Sequence, residues 1–179
     1  NMFGTKEKGT ITFYYNNDSL FNDVSLLSSF MAKSIATSSD SVIDELSMTD
    51  DEKEVFAQCV KQTMPSIYEA VIKITSGVKN AFNDSFVIPV VDETDLNRPA
   101  GKYAEITIQD NKAYNENVLY LVDTTIESCL KYGVLAEFYS ICLHADLERL
   151  AREKFNTYLS QLQQRLFQLK KKAIYPTSY

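Results

Sequence analysis

The chain has 179 residues, of which 45% are hydrophobic and 23% are charged, and this composition predicts one folded domain with a substantial core. A net charge of -6 argues against a protein that binds nucleic acid by neutralising phosphates. No apolar run approaches the length of a membrane span, and no signal-peptide pattern is present. The composition therefore predicts a soluble, cytosolic product without a membrane partner.

The N-terminal part, residues 1–45, predicts a strand followed by a helix. Residues 10–15 are β-branched and aromatic, which favours a strand. Ser19 is a suitable N-cap for a helix that ends near Ala36. The apolar residues of this helix recur every three or four positions: Leu20, Val24, Leu27, Met31 and Ile35. Residues 42–46 predict a short helical or irregular link.

Residues 47–52, Ser-Met-Thr-Asp-Asp-Glu, form the clearest helix-start signal in the chain. Thr49 and Glu52 have the spacing of a capping box, and the two aspartates between them suit the positive end of a helix dipole. The helical pattern that follows predicts an end between Ser76 and Phe82. Pro65 lies in its middle, where its ring and missing N–H predict a kink or a split into two helices.

Two strands are predicted in the middle of the chain. Residues 86–91 are densely apolar around Pro89, and residues 103–109 alternate between apolar and polar side chains. The polar stretch 92–102 is typical of a loop that joins two antiparallel strands. The strand at residues 10–15 is a candidate third member of this small sheet.

The C-terminal part predicts two long helices. The helical period runs from Asn115 to Cys142 and, after a break near His144, from Asp146 to Lys172. The first of these is apolar nearly all round in its C-terminal half, which predicts contacts with several elements, and Gly133 would let a neighbour approach closely. The apolar stripe of the last helix comprises Leu147, Leu150, Ala151, Phe155, Tyr158, Leu159, Leu162, Leu166 and Leu169. The two helices are expected to pack as an antiparallel αα-hairpin.

The predicted fold class is mainly α with a small antiparallel β element, namely a helical bundle built on a long C-terminal αα-hairpin plus a β-hairpin. We expect a single domain over residues 1–179. It comprises an N-terminal strand and helix extension (1–45), a helical core with the β-hairpin at about 86–109 (46–172), and an extended C-terminal arm (173–179).

Motifs for catalysis and for cofactor binding are scarce, so we expect a non-enzymatic protein without a cofactor or a metal. His144 is the only histidine, and a helix cap or a surface position is favoured over a catalytic role. The acidic group at residues 92–95 lacks the glycine and the distal glutamate of a calcium loop, which favours a solvated loop. Three cysteines lie in apolar helical patterns, and we expect reduced core thiols: Cys59, Cys129 and Cys142.

Charge is concentrated at two places. Acidic residues crowd the start of the second main helix: Asp40, Asp44, Glu45, Asp50, Asp51, Glu52 and Glu54. Basic residues crowd the end of the last helix: Arg165, Lys170, Lys171 and Lys172. Both placements suit the helix dipoles, which is the favoured explanation. The alternative is a head-to-tail contact between an acidic surface and the basic end of the next subunit, closing into a ring.

Five segments over residues 46–176 carry a family resemblance. They are SMTDDEKEVF, YAEITIQD, AYNENVLYLVDTTIESCL, ADLERLAREKFNTYLSQLQQRLFQLKKK and a final IYP. Their order resembles that of the small helical head-tail connector, or adaptor, proteins of tailed bacteriophages and prophages. The resemblance implies a non-catalytic ring subunit in a virion that is assembled in the host cytoplasm. The implied partners are other copies of the chain and neighbouring portal, connector or tail proteins, with DNA at most as passing cargo.

On this hypothesis the loop at 92–102 and the C-terminal arm contact neighbouring subunits. The candidate interface residues are Asp92, Glu93, Asp95, Arg98, Lys170, Lys171, Lys172, Tyr175 and Tyr179. The alternative from another class is a cytosolic helical module that recognises a partner helix in a groove beside the hairpin and forms no ring. A third hypothesis is an enzyme that uses His144 or the acidic loop.

Overall fold

A computed structural model describes residues 2–3, 10–35, 40–72, 77–82, 103–109 and 116–170. Within these ranges the helices are α1 (Asn17–Ile35), α2 (Asp40–Leu46), α3 (Lys53–Ile72), α4 (Glu116–Ile141) and α5 (Ala145–Lys170). The strands are β1 (Met2–Phe3), β2 (Thr10–Asn16), β3 (Gly77–Phe82) and β4 (Tyr103–Gln109). The chain is mainly α with a small antiparallel sheet, which confirms the predicted fold class.

The αα-hairpin of α4 and α5 is the centre of the fold. Six apolar side chains of the predicted α5 stripe are buried: Leu147, Ala151, Phe155, Leu162, Leu166 and Leu169. Burying one leucine side chain stabilises a fold by about 1.5–3 kcal/mol, so this stripe fixes α5 against its neighbours. In α4 the residues from Val134 to Ala136, together with Phe138 and Tyr139, are all buried. This confirms that the C-terminal half of α4 is enclosed on several sides.

The turn between α4 and α5 is closed by backbone hydrogen bonds. The N–H of His144 donates to the carbonyl of Tyr139 at 3.0 Å, and the N–H of Leu143 donates to the carbonyl of Ser140 at 3.1 Å. This pair of bonds is a Schellman motif, which places Leu143 in the left-handed region with φ 55°. His144 then caps α5, because its Nδ1 accepts from the N–H of Leu147 at 3.3 Å. The cap predicted for His144 is confirmed.

The sheet has the strand order β1-β2-β4-β3, and all of its pairs are antiparallel. Pairing of β2 with β4 confirms that residues 10–15 belong to the same sheet as residues 103–109. The prediction that the second main helix ends between Ser76 and Phe82 is wrong, because Gly77–Phe82 form β3. The strand predicted at residues 86–91 lies outside the described residues, and β3 occupies the edge of β4 expected for it.

The N-terminal elements contribute to the core. The cap of α1 is Asn16, whose Oδ1 accepts from the N–H of Ser19 at 3.0 Å, so the prediction of Ser19 as the cap is wrong. An asparagine is as good a cap as a serine, and here it comes directly after the strand. In α1, Phe21 is buried and packs edge-on against Phe56 of α3, with their ring centroids 5.3 Å apart. Residues 10–35 therefore share the core of the helical bundle.

Helix α3 begins as the capping box predicts. The Glu52 carboxylate accepts from the backbone N–H of Thr49 at 2.6 Å, after which a short 3-10 turn leads into α3. The helix continues through Pro65 without a break, so the predicted split does not occur. Met64 and Ile67, on either side of the proline, are both buried, and this packing holds the two halves of α3 in one helix.

Candidate functional site

An apolar groove runs between α1 and α5 over the surface of α4. It has a volume of about 410 Å³ and is lined by apolar side chains from all three helices: Leu27, Phe30, Met31, Tyr132 and Leu150. Phe30 is 62% exposed and Leu150 is 40% exposed, so both side chains face water. We call this feature the α1–α5 groove.

The helical repeat explains why these side chains are not buried in the core. In α1 the predicted stripe is buried at Leu20 and Val24, but one turn further on Leu27 is only partly buried. In α5, Leu150 is next to the buried Ala151 and lies on the flank of the stripe. Each helix therefore uses the centre of its apolar face for the core and leaves one edge of that face toward the groove.

The floor of the groove is held by an aromatic pair. Tyr132 of α4 stacks on Tyr158 of α5 with ring centroids 5.5 Å apart and an angle of 18° between the rings. Stacked aromatic pairs add about 0.5–1.5 kcal/mol beyond their buried area, so Tyr132 is held in place before any ligand binds. The floor is preformed, which lowers the entropic cost of docking.

Charged side chains surround the apolar surface. Glu153 lies at the rim and pairs with Arg149 at 2.9 Å. Lys154, also at the rim, is exposed and has no ion-pair partner among the described residues. Between α1 and α4, Lys131 contacts Asp23 at 2.9 Å and Glu127 at 3.1 Å. Burial alone would lower the pKa of Lys131, but these two carboxylates raise it above its ordinary value, so Lys131 stays charged.

A second polar feature lies inside the fold. Tyr15 of β2 and Asp123 of α4 are 2% and 3% exposed, and the Tyr15 hydroxyl donates to Asp123 Oδ1 at 2.9 Å. Burial is the main cause of a raised pKa for Asp123, whereas the hydrogen bond from Tyr15 lowers it and Glu127 raises it further. The pair is closed off from solvent, and we assign it a structural role in joining the sheet to α4.

The cysteines differ in their accessibility. Cys59 and Cys129 are fully buried, and burial raises the pKa of each thiol to about 12. Cys142 is only partly buried, which differs from the core position predicted for it. All three are free thiols.

We expect Cys142 to react first with a thiol reagent at neutral pH in the native protein, because it alone is partly exposed. Cys59 and Cys129 should react only after denaturant is added. Counting modified thiols by mass spectrometry over time checks this order. In the Cys142→Ser variant the early reaction should disappear, and rapid native labelling of Cys59 or Cys129 would contradict the prediction.

Most of the predicted interface residues lie outside the described residues, namely Asp92, Glu93, Asp95, Arg98, Lys171, Lys172, Tyr175 and Tyr179. Lys170 is the last residue of α5, and its side chain is also outside the described part. Arg165 donates to the Leu121 carbonyl at 3.2 Å and to the Thr125 hydroxyl. Arg165 thus joins α5 to α4. The basic cluster in the sequence suggested a helix-dipole or subunit-contact role for Arg165 and did not predict this intramolecular one.

The acidic cluster is partly explained by local contacts. Glu52 closes the capping box, and Asp50 pairs with Lys53 at 3.5 Å. These contacts agree with the helix-terminus explanation for that part of the cluster.

Sequence reasoning offered a groove beside the hairpin as one alternative but did not identify the residues that line it, although one signal for them was available. Leu26 and Phe30 are apolar residues of α1 that fall outside the predicted stripe, and both are more than half exposed. Apolar side chains that lie off the core-facing stripe of a helix are candidates for contacts with other molecules. A separate signal pointed to the buried Tyr15–Asp123 pair, since Asp123 follows directly on Val122 in the apolar face of α4.

Comparisons with known proteins found no match among protein-family models, curated proteins or solved structures. In the described part of the chain, no group of three or more histidine, cysteine, aspartate or glutamate side chains could hold a metal ion. None of the helices in the described ranges combines the length and the apolar character needed to cross a membrane.

Proposed function

We propose that this chain is a non-enzymatic protein-binding module that docks onto another protein chain through the α1–α5 groove. The observation that carries the proposal is the exposure of Phe30 and Leu150 beside a preformed aromatic floor. Apolar side chains grouped in a concave surface with a charged rim are typical of protein-docking sites. The role of His144 as a helix cap supports a non-catalytic function, because its Nδ1 is engaged by the backbone of α5.

A helix, or the end of a helical hairpin, that projects apolar side chains is the kind of ligand that suits the groove. The walls are two helices, and the lining residues lie three and four positions apart along each wall, such as Leu27 and Phe30. A ligand helix presents its own apolar side chains at the same spacing, so its ridge of side chains fits between the two walls. This is the partner-helix module that the sequence offers as the alternative to a ring subunit.

The head-tail connector remains the more specific form of the proposal and depends on the resemblance of the five sequence segments. In that form the docked chain is a neighbouring ring subunit or a portal, connector or tail protein. Native mass spectrometry across protein concentration and salt separates the two forms. A ring of several subunits supports the connector, whereas a monomer or a dimer supports the partner-helix module.

The groove itself is tested by site-specific photo-crosslinking. We expect a benzoylphenylalanine at position 30 to crosslink to a discrete protein partner, which mass spectrometry then identifies, because Phe30 lies at the opening of the groove. The matched control is the same crosslinker at Tyr120, an aromatic residue of α4 that is 64% exposed and does not line the groove.

The decisive comparison is between the two positions. A partner that is captured at position 30, is absent at position 120 and is lost when Leu150→Glu places a charge in the groove supports the proposal. The same set of products at both positions, unaffected by Leu150→Glu, would show that the groove is not a docking site. Circular dichroism of each variant checks that the helices are retained.

A further inference from the structure

The tip of the αα-hairpin exposes an apolar side chain on a strained backbone. We define the hairpin tip as residues 141–144. Leu143 is 90% exposed and has φ 55°, a backbone conformation that favours glycine, and Ile141 is exposed beside it. Glycine is the usual residue at this position of a Schellman motif. A leucine here has a strained backbone and, at 90% exposure, buries little apolar surface that would offset that strain.

The surroundings of the hairpin tip are acidic. The Sγ of Cys142 lies 4.0 Å from the carbonyl oxygen of Glu45, which places the C-terminal end of α2 beside the tip. Asp44 and Glu45 of α2 are exposed there, and Asp146 is exposed in the first turn of α5. The tip is therefore an apolar projection flanked by carboxylates.

The α1–α5 groove has the complementary character. Its rim carries the exposed Lys154, and the negative charge of the neighbouring Glu153 is compensated by Arg149. Lys33 is exposed in the last turn of α1, one turn beyond Phe30. In the described part of the chain neither lysine has a carboxylate partner. The groove thus offers apolar walls flanked by positive charge, which matches an apolar ligand flanked by negative charge.

We propose that the occupant of the α1–α5 groove is the hairpin tip of a second copy of this chain, with Leu143 and Ile141 inserted between α1 and α5. This inference rests on the proposed docking function of the groove and names its partner. The tip cannot fold back into its own groove, because the backbone bonds from His144 and Leu143 to α4 fix the turn between the end of α4 and the start of α5. The contact must therefore join two molecules, and it uses a different surface on each of them.

Leu143→Gly tests the inference without weakening the fold. Glycine relieves the left-handed backbone, so the melting temperature should stay equal or rise by about 2–4 °C. Self-association, measured by sedimentation velocity across protein concentration, should become weaker by about tenfold or more, because a buried leucine contact is lost. Leu143→Met, which keeps an apolar side chain of similar volume, should retain most of the self-association.

Mixing two defective variants gives the sharper test. Phe30→Ser has a defective groove and an intact tip, whereas Leu143→Gly has an intact groove and a defective tip. Each should self-associate poorly alone, but together they should form complexes that contain both variants, because one intact tip meets one intact groove. Added salt should weaken these complexes, since the flanking charges contribute.

The possible results separate this inference from the proposed function. Unchanged self-association of Leu143→Gly, no complex in the mixture, or a wild-type chain that stays monomeric at high concentration would each overturn the tip-in-groove contact. In all three cases, specific crosslinking from position 30 to a different protein would still support the docking function. The absence of any specific crosslink from position 30 would contradict the docking function itself.

Discussion

Gly133→Ala is expected to lower the free energy of unfolding by about 2 kcal/mol, although alanine favours a helix more than glycine by about 1 kcal/mol. A Cβ at position 133 would overlap Cγ2 of Thr63 and would lie 2.9 Å from the ring of Phe155. Helices α3, α4 and α5 meet at this glycine, so the side chains of Thr63 and Phe155 must shift to make room for the added methyl group. Denaturant unfolding of the purified variant measures the loss.

A second substitution shows whether the methyl contact is the cause. Thr63→Ser removes Cγ2 but keeps the hydroxyl that donates to the Cys59 carbonyl at 2.8 Å. In the Gly133→Ala background, Thr63→Ser should therefore restore about 1 kcal/mol, which would appear as a coupling energy in a double-mutant cycle. Simple additivity of the two changes would contradict the proposed overlap.

Asn156→Ala is a matched control for helix propensity. Asn156 is exposed on α5, and its replacement should stabilise the protein slightly, by about 0.5 kcal/mol, because no neighbour is displaced. The contrast between two substitutions to alanine separates the intrinsic preference of the residue from the space available to it.

Local periodicity was sufficient to predict the long helices. The α5 stripe from Leu147 to Leu169 and the break near His144 are visible in sequence, because a helix that packs on one side repeats its apolar residues every three to four positions. The capping box at Thr49 is equally local. These elements follow from interactions within a few residues, so one sequence was enough to find them.

The strand β3 shows where periodicity fails. Val78 and Phe82 are four residues apart, and residues at this spacing share a face in both a helix and a strand. Residues 77–82 form a strand rather than a helix because the edge of β4 offers them backbone hydrogen bonds. That edge is more than 20 residues away along the chain. Only a non-local partner distinguishes the two structures.

The residues that line the groove could not be identified from sequence for a similar reason. Whether Leu27 and Leu150 are covered or exposed depends on how closely α1 approaches α5, and no residue pattern within either helix fixes that distance. The Tyr15–Asp123 pair joins residues that are separated by 108 positions. Sequence showed Asp123 as an acid in an apolar face, but the tyrosine that satisfies it came from a strand at the other end of the chain.

Tyr15→Phe is expected to lower the free energy of unfolding at pH 7 by about 3 kcal/mol, because the buried Asp123 carboxylate loses the hydroxyl that donates to it at 2.9 Å. The ring itself stays buried, so the loss reports the contacts of the hydroxyl with the Asp123 carboxylate and, at 3.2 Å, the Asp123 carbonyl, rather than packing. Thermal and denaturant unfolding measure the change. Tyr158→Phe, at a partly buried tyrosine of the stacked pair, should change stability by less than about 0.5 kcal/mol.

The same pair predicts a pH dependence with a defined sign. Burial raises the pKa of Asp123 above its ordinary 3.8, so the native state holds this proton more tightly than the unfolded state does. The contribution of Asp123 to stability is therefore greatest below pH 3.8 and declines as the pH rises through the raised pKa. Asp123→Asn has no such proton, and its stability relative to wild type should increase with pH across that window.

Combining the two substitutions identifies the cause. The hydrogen bond from Tyr15 lowers the pKa of Asp123, so removing it in Tyr15→Phe should raise that pKa further and extend the pH-dependent loss to higher pH. In Tyr15→Phe with Asp123→Asn the extended loss should vanish, because an amide carries no charge to bury. A pH profile of Tyr15→Phe that parallels wild type would show that the hydroxyl does not stabilise the carboxylate. The loss that Tyr15→Phe causes in the Asp123→Asn background has no ionic part, so it measures the neutral hydrogen bonding of the hydroxyl. Subtracting it from the loss that Tyr15→Phe causes in the wild-type background gives the share due to the buried charge.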